Sequence, residues 1–361
     1  MRIVAHNGAT IWGGAERATV VLLKGLALRG HDVHLLCNTQ LVAKQAVSEG
    51  VPSEICVLAG DVFLNDSFKL ARRLQKLAPD AFIVGTYKKL FLATLGAHIA
   101  RVPRVVARVG LESDTPRSGK YRVALRRWTD GVAVNSSAMV DPFAALAGFG
   151  RAKVCLIHNG VTVPVARRDR QAVRNELGLA PDSFVIGTVA RLAKQKRIDR
   201  LIDVMKLLPT DLSCVIAGDG AQRARLEEMA RSAGVSDRIR FVGERSDTGD
   251  ILNALDVFVV ASDKEGLSNA MLEAMAMGLP VVSTPVSGSE DALGVDESGL
   301  SAGVVTTFST ESIANAILDL RADPERRALL GAAAKARAYQ RFSMDGMLDR
   351  WEEFLSGRTR A

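Results

Sequence analysis

Residues 257 to 284 restrict the fold of this chain more than any other stretch. The apolar run Val257 to Ala261 suits a buried strand, and a polar loop carrying Gly266 follows it. Ser268 or Asn269 is a fair N-cap, Ala270 to Met277 are good helix formers, and Gly278 followed by Pro280 stops the helix. Pro280 to Thr284 then reads as a second strand. Strand, loop, helix and strand in this order are the repeating unit of a parallel α/β sheet.

Chemistry-bearing residues punctuate the unit. The backbone amides of Gly266, Leu267, Ser268 and Asn269 fall at the expected helix N-terminus, where unbonded N–H groups and the helix dipole favour an anion such as a diphosphate. Glu273, about one turn into the helix, is placed to accept two hydrogen bonds from a ribose diol, while Glu265 faces whatever hangs off the phosphate. Two carboxylates alone would read more simply as a solvated loop and a surface helix face. The pattern around them is longer: E-G-x-x-x-x-x-x-E followed by A-M-A-x-G-x-P-V-V resembles the signature of retaining glycosyltransferases of family 4, whose two-domain fold is called GT-B.

With 361 residues, 48% of them hydrophobic, the chain exceeds the size of a single core, so two domains are expected. Met1 to Ala5 leads straight into Gly8, Gly13 and Gly14 without the pattern of a signal peptide. No apolar run reaches the length, about 18 residues, of a membrane span, and a cytoplasmic protein is expected. Cys37, Cys56, Cys155 and Cys214 are scattered and no histidine cluster joins them, which argues against zinc or a disulfide framework. The net charge of +7 is uneven. Residues 1 to 165 hold 21 Lys and Arg against 11 Asp and Glu, and residues 166 to 361 hold 26 against 29. The first half therefore suits an anionic partner, either nucleic acid or a membrane surface.

In that half, Arg2 to Ala5 is a strand and Gly8 to Gly14 a loop. Ala15 to Arg29 is a helix with Ala18, Val21, Leu22 and Leu26 on one face, and Asp32 to Cys37 is the next strand. Gly13-Gly14 fits neither the dinucleotide fingerprint nor a Walker loop. By resemblance to G-G-x-E/x-R segments of the family, its backbone reaches toward the donor phosphate and sugar; the plainer alternative is a tight turn. Asp80 to Gly85, Val105 to Val109 and Gly131 to Val134 read as successive strands of a parallel sheet. Arg117 to Trp128 mixes Arg117, Lys120, Arg122, Arg126 and Arg127 with Tyr121, Val123, Leu125 and Trp128. It suits a segment lying on anionic lipid or a charged helix packed by its apolar residues. The chain departs from the family here: where many members carry a His after a strand like Val105 to Val109, no His stands in the run Arg108 to Asp114, with Arg108, Glu112 and Asp114 the nearest substitutes for acceptor contacts, and no general base is assigned.

Asn135-Ser136-Ser137 and His158-Asn159-Gly160-Val161 resemble further family landmarks. Pro164 and the charged run Arg167 to Arg170 put the domain boundary near residue 165. Phe184 to Leu192 opens a second βαβ system. Arg191 and Lys196 leave its strand tip as a guanidinium and an ammonium able to hold a diphosphate opposite the Gly266 amides, with Lys194 and Arg197 as rivals to Lys196. Asp211 to Gly220 and Arg240 to Glu244 continue the alternation, and by resemblance Val242 and Glu244 lie where relatives hold the base. Thr310 to Arg321, Pro324 to Arg341 and Met344 to Leu355 read as helices.

The expected fold is α/β, two Rossmann-like doubly wound domains facing across a cleft. Residues 1–165 with the helix of about 344–361 would bind the acceptor, and residues 166–343 the nucleotide-sugar donor. The resemblance implies retaining transfer of a sugar from a nucleoside diphosphate sugar to a hydroxyl acceptor, such as a cell-envelope glycolipid, lipopolysaccharide or polysaccharide precursor. In it Arg191, Lys196 and Glu265 are catalytic, and Gly13, Gly14, Gly266, Leu267, Ser268, Asn269, Glu273, Val242 and Glu244 bind the donor. Arg108, Glu112 and Asp114 stand on the acceptor side. No D-x-D sequence occurs, so no metal or other cofactor is expected. The expected partners are the donor, a lipid-linked or glycan acceptor and an anionic membrane surface on its inner face, without nucleic acid. A nucleotide-sugar epimerase of the same architecture and a non-enzymatic nucleic-acid-binding protein are the alternatives.

Overall fold

The computed structural model describes residues 1–59, 64–111, 119–148, 154–296 and 299–358. It divides into two compact units, Met1–Gly160 with Met344–Ala361, and Val161–Ser343. The first unit begins β1 (Arg2–Asn7), α1 (Gly14–Leu28), β2 (Asp32–Cys37), α2 (Gln40–Ser48), β3 (Ser53–Ile55), α3 (Leu64–Leu77) and β4 (Ala81–Val84). It continues α4 (Leu90–Ile99), β5 (Arg104–Val109), α5 (Gly119–Arg127), β6 (Gly131–Val134), α6 (Val140–Ala147) and β7 (Val154–Leu156). The second unit runs α7 (Arg170–Glu176), β8 (Phe184–Val189), α8 (Ile198–Leu207), β9 (Leu212–Ala217), α9 (Arg223–Ser232), β10 (Ile239–Gly243) and α10 (Thr248–Ala254). It is completed by β11 (Val257–Val260), α11 (Asn269–Ala276), β12 (Val281–Ser283), α12 (Ser289–Leu293), β13 (Val304–Val305), α13 (Thr310–Ala322) and α14 (Pro324–Arg341), and α15 (Met344–Ser356) returns to the first.

Each unit is one parallel sheet with helices on both faces. The strand orders are β3-β2-β1-β4-β5-β6-β7 and β10-β9-β8-β11-β12-β13. Period-two alternation splits the first sheet's side chains: Val4, Phe82, Val84, Ala107, Val132 and Val134 face one core, and Ile3, Ala5, Ile83, Val106 and Ala133 face the other. The strand order turns about once in each sheet, between β1 and β4 and between β8 and β11. At such a point the loops leaving the carboxyl ends of the two strands diverge and leave a crevice.

The units divide between Gly160 and Val161, a few residues before the expected position near 165. The segment that follows is held locally: the amides of Arg167 and Arg168 donate to Asp250 Oδ1 at 2.6 and 3.0 Å, and Arg170 bonds Asp256 at 2.6 Å. A Cβ on Gly249 would lie 2.4 Å from the Val165 carbonyl oxygen, so glycine is needed for α10 to meet this segment. The charged run that broke the apolar periodicity is thus tied into the second unit.

Helix α15 buries Met347, Leu348, Trp351, Phe354 and Leu355 in the same core as Leu22, Leu23 and Leu26 of α1. A Cβ at Gly25 would come within 2.8 Å of Leu348, so glycine there permits the close crossing. Arg29 adds hydrogen bonds to Asp349 at 2.5 Å, Glu352 at 2.9 Å and Asp345 at 3.1 Å. Replacing the buried Trp351 by alanine should cost about 3–5 kcal/mol of the first unit's stability. Denaturant unfolding monitored in each unit, with limited proteolysis at 344–358, checks this; an unchanged first unit would show that α15 only rests on its surface.

Candidate functional site

In the second unit, the two loops at the turning point of the sheet carry most of the chemistry. Beyond β8 the chain runs through Arg191 to Lys196, held close to the loop after β9 because Gly218 (φ +130) and Gly220 leave room that no side chain could share. A Cβ at Gly218 would lie 2.0 Å from the Ala190 carbonyl oxygen, and one at Gly220 2.6 Å from that of Leu192. Beyond β11, the loop Ser262–Leu267 is bonded through its Glu265 and Gly266 carbonyls to the amides of Ser287 and Gly288. A Cβ on Gly288 would stand 2.6 Å from the Gly266 carbonyl oxygen. This glycine was not singled out in the sequence, where nothing local marks it.

These loops bring Lys196 and Glu265 together as a hydrogen-bonded ion pair, with side chains only 19% and 11% exposed. The second Glu265 oxygen, Oε2, is buried and has no hydrogen-bond partner among the described residues. Lys196, Ser262 and Ser268 line a small pocket with Thr188 and Ala190. Ser268 is the N-cap of α11, its hydroxyl accepting from the Met271 amide at 3.5 Å, so the helix starts at Asn269 and Gly266 and Leu267 lie in the lead-in loop. Glu273 is half-buried in the second turn. Arg191 is exposed; its carbonyl accepts from the Ala193 amide at 2.8 Å, and its side chain makes no hydrogen bond or ion pair among the described residues. Val242 lies on β10, the edge strand separated from β8 by β9, and Glu244 just beyond it.

A second set of residues fixes the pair. Arg197 has a left-handed backbone (φ 49), a conformation that strains a side chain with a Cβ. Its guanidinium bonds Asp199 at 3.0 Å and Asp263 at 2.9 Å, and the buried Arg200 bonds Asp263 at 2.6 Å. The Asp263 amide also donates to the Gln195 carbonyl at 2.9 Å. Asp263 therefore ties the loop of Lys196 to the loop of Glu265. Arg197, a rival for the phosphate role, is committed here, while Lys194 is exposed. The Asp263 contact spans two strands, and only its charge was visible in the sequence.

The remaining expected residues belong to the first unit. Gly13 is the N-cap of α1 and Gly14 its first residue; neither has a positive φ, so the turn itself does not demand glycine. A Cβ on Gly14 would meet nothing within 4 Å. Arg108, half-buried on β5, bonds the Thr19 hydroxyl at 3.4 Å and Asn159 Oδ1 at 3.2 Å. Glu112, Asp114 and Arg117 lie outside the described residues. Among the described residues no group of three or more His, Cys, Asp or Glu is arranged to hold a metal ion, and no helix is long and apolar enough to cross a membrane.

Comparisons with known proteins address both units. The family model "Glycosyl transferases group 1" matches residues 169–337, and "Glycosyltransferase Family 4" matches residues 12–163. The lipopolysaccharide core biosynthesis glycosyltransferase LpsE of Rhizobium meliloti is 30% identical over 67% of this chain and 69% of its own. LpsD of the same organism, described in the same words, is 30% identical over 93% of both chains. Several other curated relatives are matched over only about half of their length. The crystal structure of Anabaena HepE in complex with UDP-glucose superposes with a TM-score of 0.85 at 24% identity, covering 99% of this chain and 100% of that one.

Two substitutions separate the strain at Arg197 from the tie it makes. Arg197→Gly removes the tie but relieves a strained backbone worth about 1–2 kcal/mol, whereas Asp263→Asn weakens the tie and keeps the strain. Asp263→Asn should therefore unfold at the lower denaturant concentration. Burial pushes the Asp263 carboxyl up, but hydrogen bonds from Arg197 and Arg200 outweigh it and hold the group below its ordinary value. With a depressed folded value, the stabilisation is complete above the unfolded pKa and is lost as pH falls through the folded one. The stability gap between wild type and Asp263→Asn should thus close in acid; a gap that ignores pH would rule out the charged tie.

Proposed function

Because this chain belongs to the group 1, family 4 glycosyltransferases, we propose that it moves a sugar with retention from a nucleoside diphosphate sugar to a hydroxyl acceptor of a cell-envelope glycolipid, lipopolysaccharide or polysaccharide precursor. The observation that carries this reading is the Lys196–Glu265 pair beside the N-terminus of α11 at the turning point of the second sheet. As the glycosidic bond to phosphate lengthens, positive charge grows on the sugar and negative charge on the diphosphate. Arg191, Lys196 and the amides around Ser268 neutralise the second, the role electrostatic donors play wherever a leaving group gains charge. Glu265 orients sugar hydroxyls through its unpartnered Oε2, and Glu273 takes the ribose diol. The departing phosphate oxygen accepts the acceptor's proton on the face it has just left, which gives retention without a protein base.

The names of relatives support a cell-envelope acceptor: besides LpsE and LpsD they include a capsular polysaccharide biosynthesis glycosyltransferase of Staphylococcus aureus. A lipid-linked acceptor brings the protein to an anionic membrane surface, and the first unit offers a face for it. Helix α3 exposes Leu64 and Phe68, each about half, beside the exposed Lys69, Arg72 and Lys76, and α5 exposes Arg122, Arg126 and Arg127. Arg73 and Lys89, counted on sequence among the basic surplus, are instead bonded to Glu54 and the Ala59 carbonyl. About 1 kcal/mol per cation near an anionic surface makes such a set sufficient for reversible docking.

Incubation with UDP-, GDP- and ADP-sugars, read as thermal protection and product, tests the function; release of an altered sugar without acceptor would point to an epimerase. Lys196→Ala and Arg191→Ala should each lower turnover by about 100-fold or more, Arg191→Ala at unchanged stability and Lys196→Ala in a folded but less stable second unit because Glu265 loses its partner, and activity should survive EDTA. Normal turnover in either variant, or strict metal dependence, would overturn the proposed leaving-group stabilisation. Vesicle cosedimentation that needs anionic lipid, falls with salt and weakens in Arg122→Glu with Arg127→Glu supports docking; equal pelleting with neutral vesicles counts against it.

A further inference from the structure

The carboxyl ends of β5, β6 and β7 place three polar side chains on one face of the first sheet. Val106, Ala133 and Ile157 belong to the core on that face, and two residues beyond each come Arg108, Asn135 and Asn159. The register agrees, since Arg108 lies opposite Ala133. Arg108 reaches only neutral oxygens, those of Ala15 at 3.5 Å, Thr19 at 3.4 Å and Asn159 at 3.2 Å, and it has no ion pair among the described residues. Burial lowers the guanidinium pKa to about 10, and Glu16, acting through space, opposes it only in part. Asn135 is 7% exposed, and its Oδ1 is buried without a partner among the described residues. A partly dehydrated cation with long bonds to neutral groups, on the same face of neighbouring strand ends as an unfilled acceptor, is an arrangement completed by a ligand that brings an anion and a hydrogen-bond donor together.

We infer that Arg108 and Asn135 form a subsite for an oxyanion bearing a neighbouring hydroxyl, so that the acceptor is a phosphorylated polyol or an acidic hydroxy compound. This rests on the reading of the chain as a transferase to a hydroxyl acceptor. The forked guanidinium binds two oxygens of the phosphate or carboxylate, and Asn135 Oδ1 accepts from the hydroxyl.

Binding is measured on the full chain without donor, using sn-glycerol 3-phosphate, ethyl phosphate, L-malate and glycerol as probes in calorimetry. The phosphate or the carboxylate hydroxy compound should bind, whichever source the acceptor resembles, and glycerol should not. Arg108→Lys should weaken binding tenfold or more and Arg108→Met further. Asn135→Ala should abolish the preference for glycerol 3-phosphate over ethyl phosphate. Lys196→Ala, in the other unit, should leave these affinities unchanged, and UDP binding should be unaltered in Arg108→Met, so that failure of the donor reading registers separately as absent UDP binding by the wild type. Equal affinities in wild type and Arg108→Met, binding lost in Lys196→Ala alone, or equal binding of glycerol would overturn the subsite.

Discussion

A lysine and a glutamate that are both largely out of water are tolerable only as a pair, because stripping either charge of its partner leaves a desolvation cost of several kcal/mol. In the second unit Lys196 and Glu265 reach that condition from loops that leave different strands, β8 and β11. Their pairing therefore demands that two backbones be fixed against each other. Backbone contacts that admit no Cβ, at Gly218, Gly220 and Gly288, fix each loop to a neighbour, and Asp263 locks the two loops together through Arg197 and Arg200. The strained φ of Arg197 persists because its guanidinium is held at both ends.

The first unit has a sheet of the same kind with the opposite electrostatic solution. At the ends of its strands, Arg108 has hydroxyl, carbonyl and amide oxygens around it but no carboxylate at bonding distance among the described residues. Where the second unit stores its cation against an internal anion, the first leaves one whose charge is only partly answered. Two scaffolds of the same architecture thus differ in which charge they leave for a ligand, and fold alone would not distinguish them.

What was legible in the sequence follows the range of the interactions. The strand, loop and helix from Val257 to Pro280 could be read because caps, helix formers and the Gly278 stop act within a few residues, and the N-cap proved to be Ser268. The alternation of elements gave both parallel sheets. The Lys196–Glu265 contact joins residues 69 positions apart, and the Asp263 tie joins residues 66 and 63 apart, so periodicity and motif spacing contained neither. The partners of the charged run Arg167 to Arg170 were hidden for the same reason: its acids, Asp250 and Asp256, lie on and just after α10. The departure at Arg108 from the family's pattern was visible, and its surroundings, set by strand register, were not.

On the proposed reading, the Lys196–Glu265 pair also explains why the donor must carry its sugar. Drawing Lys196 onto a diphosphate exchanges one anion for another and buries no new unpaired cation, so the cost of the exchange falls on Glu265. Its Oε1 would lose the ammonium, and its Oε2 has no partner among the described residues to begin with. Sugar hydroxyls are hydrogen-bond donors able to satisfy both oxygens at once, whereas a nucleoside diphosphate without its sugar has none to offer there. The resting ion pair thereby links charge neutralisation at the phosphate to orientation of the sugar: the lysine is free to move fully onto the leaving group only when the glutamate has another occupant.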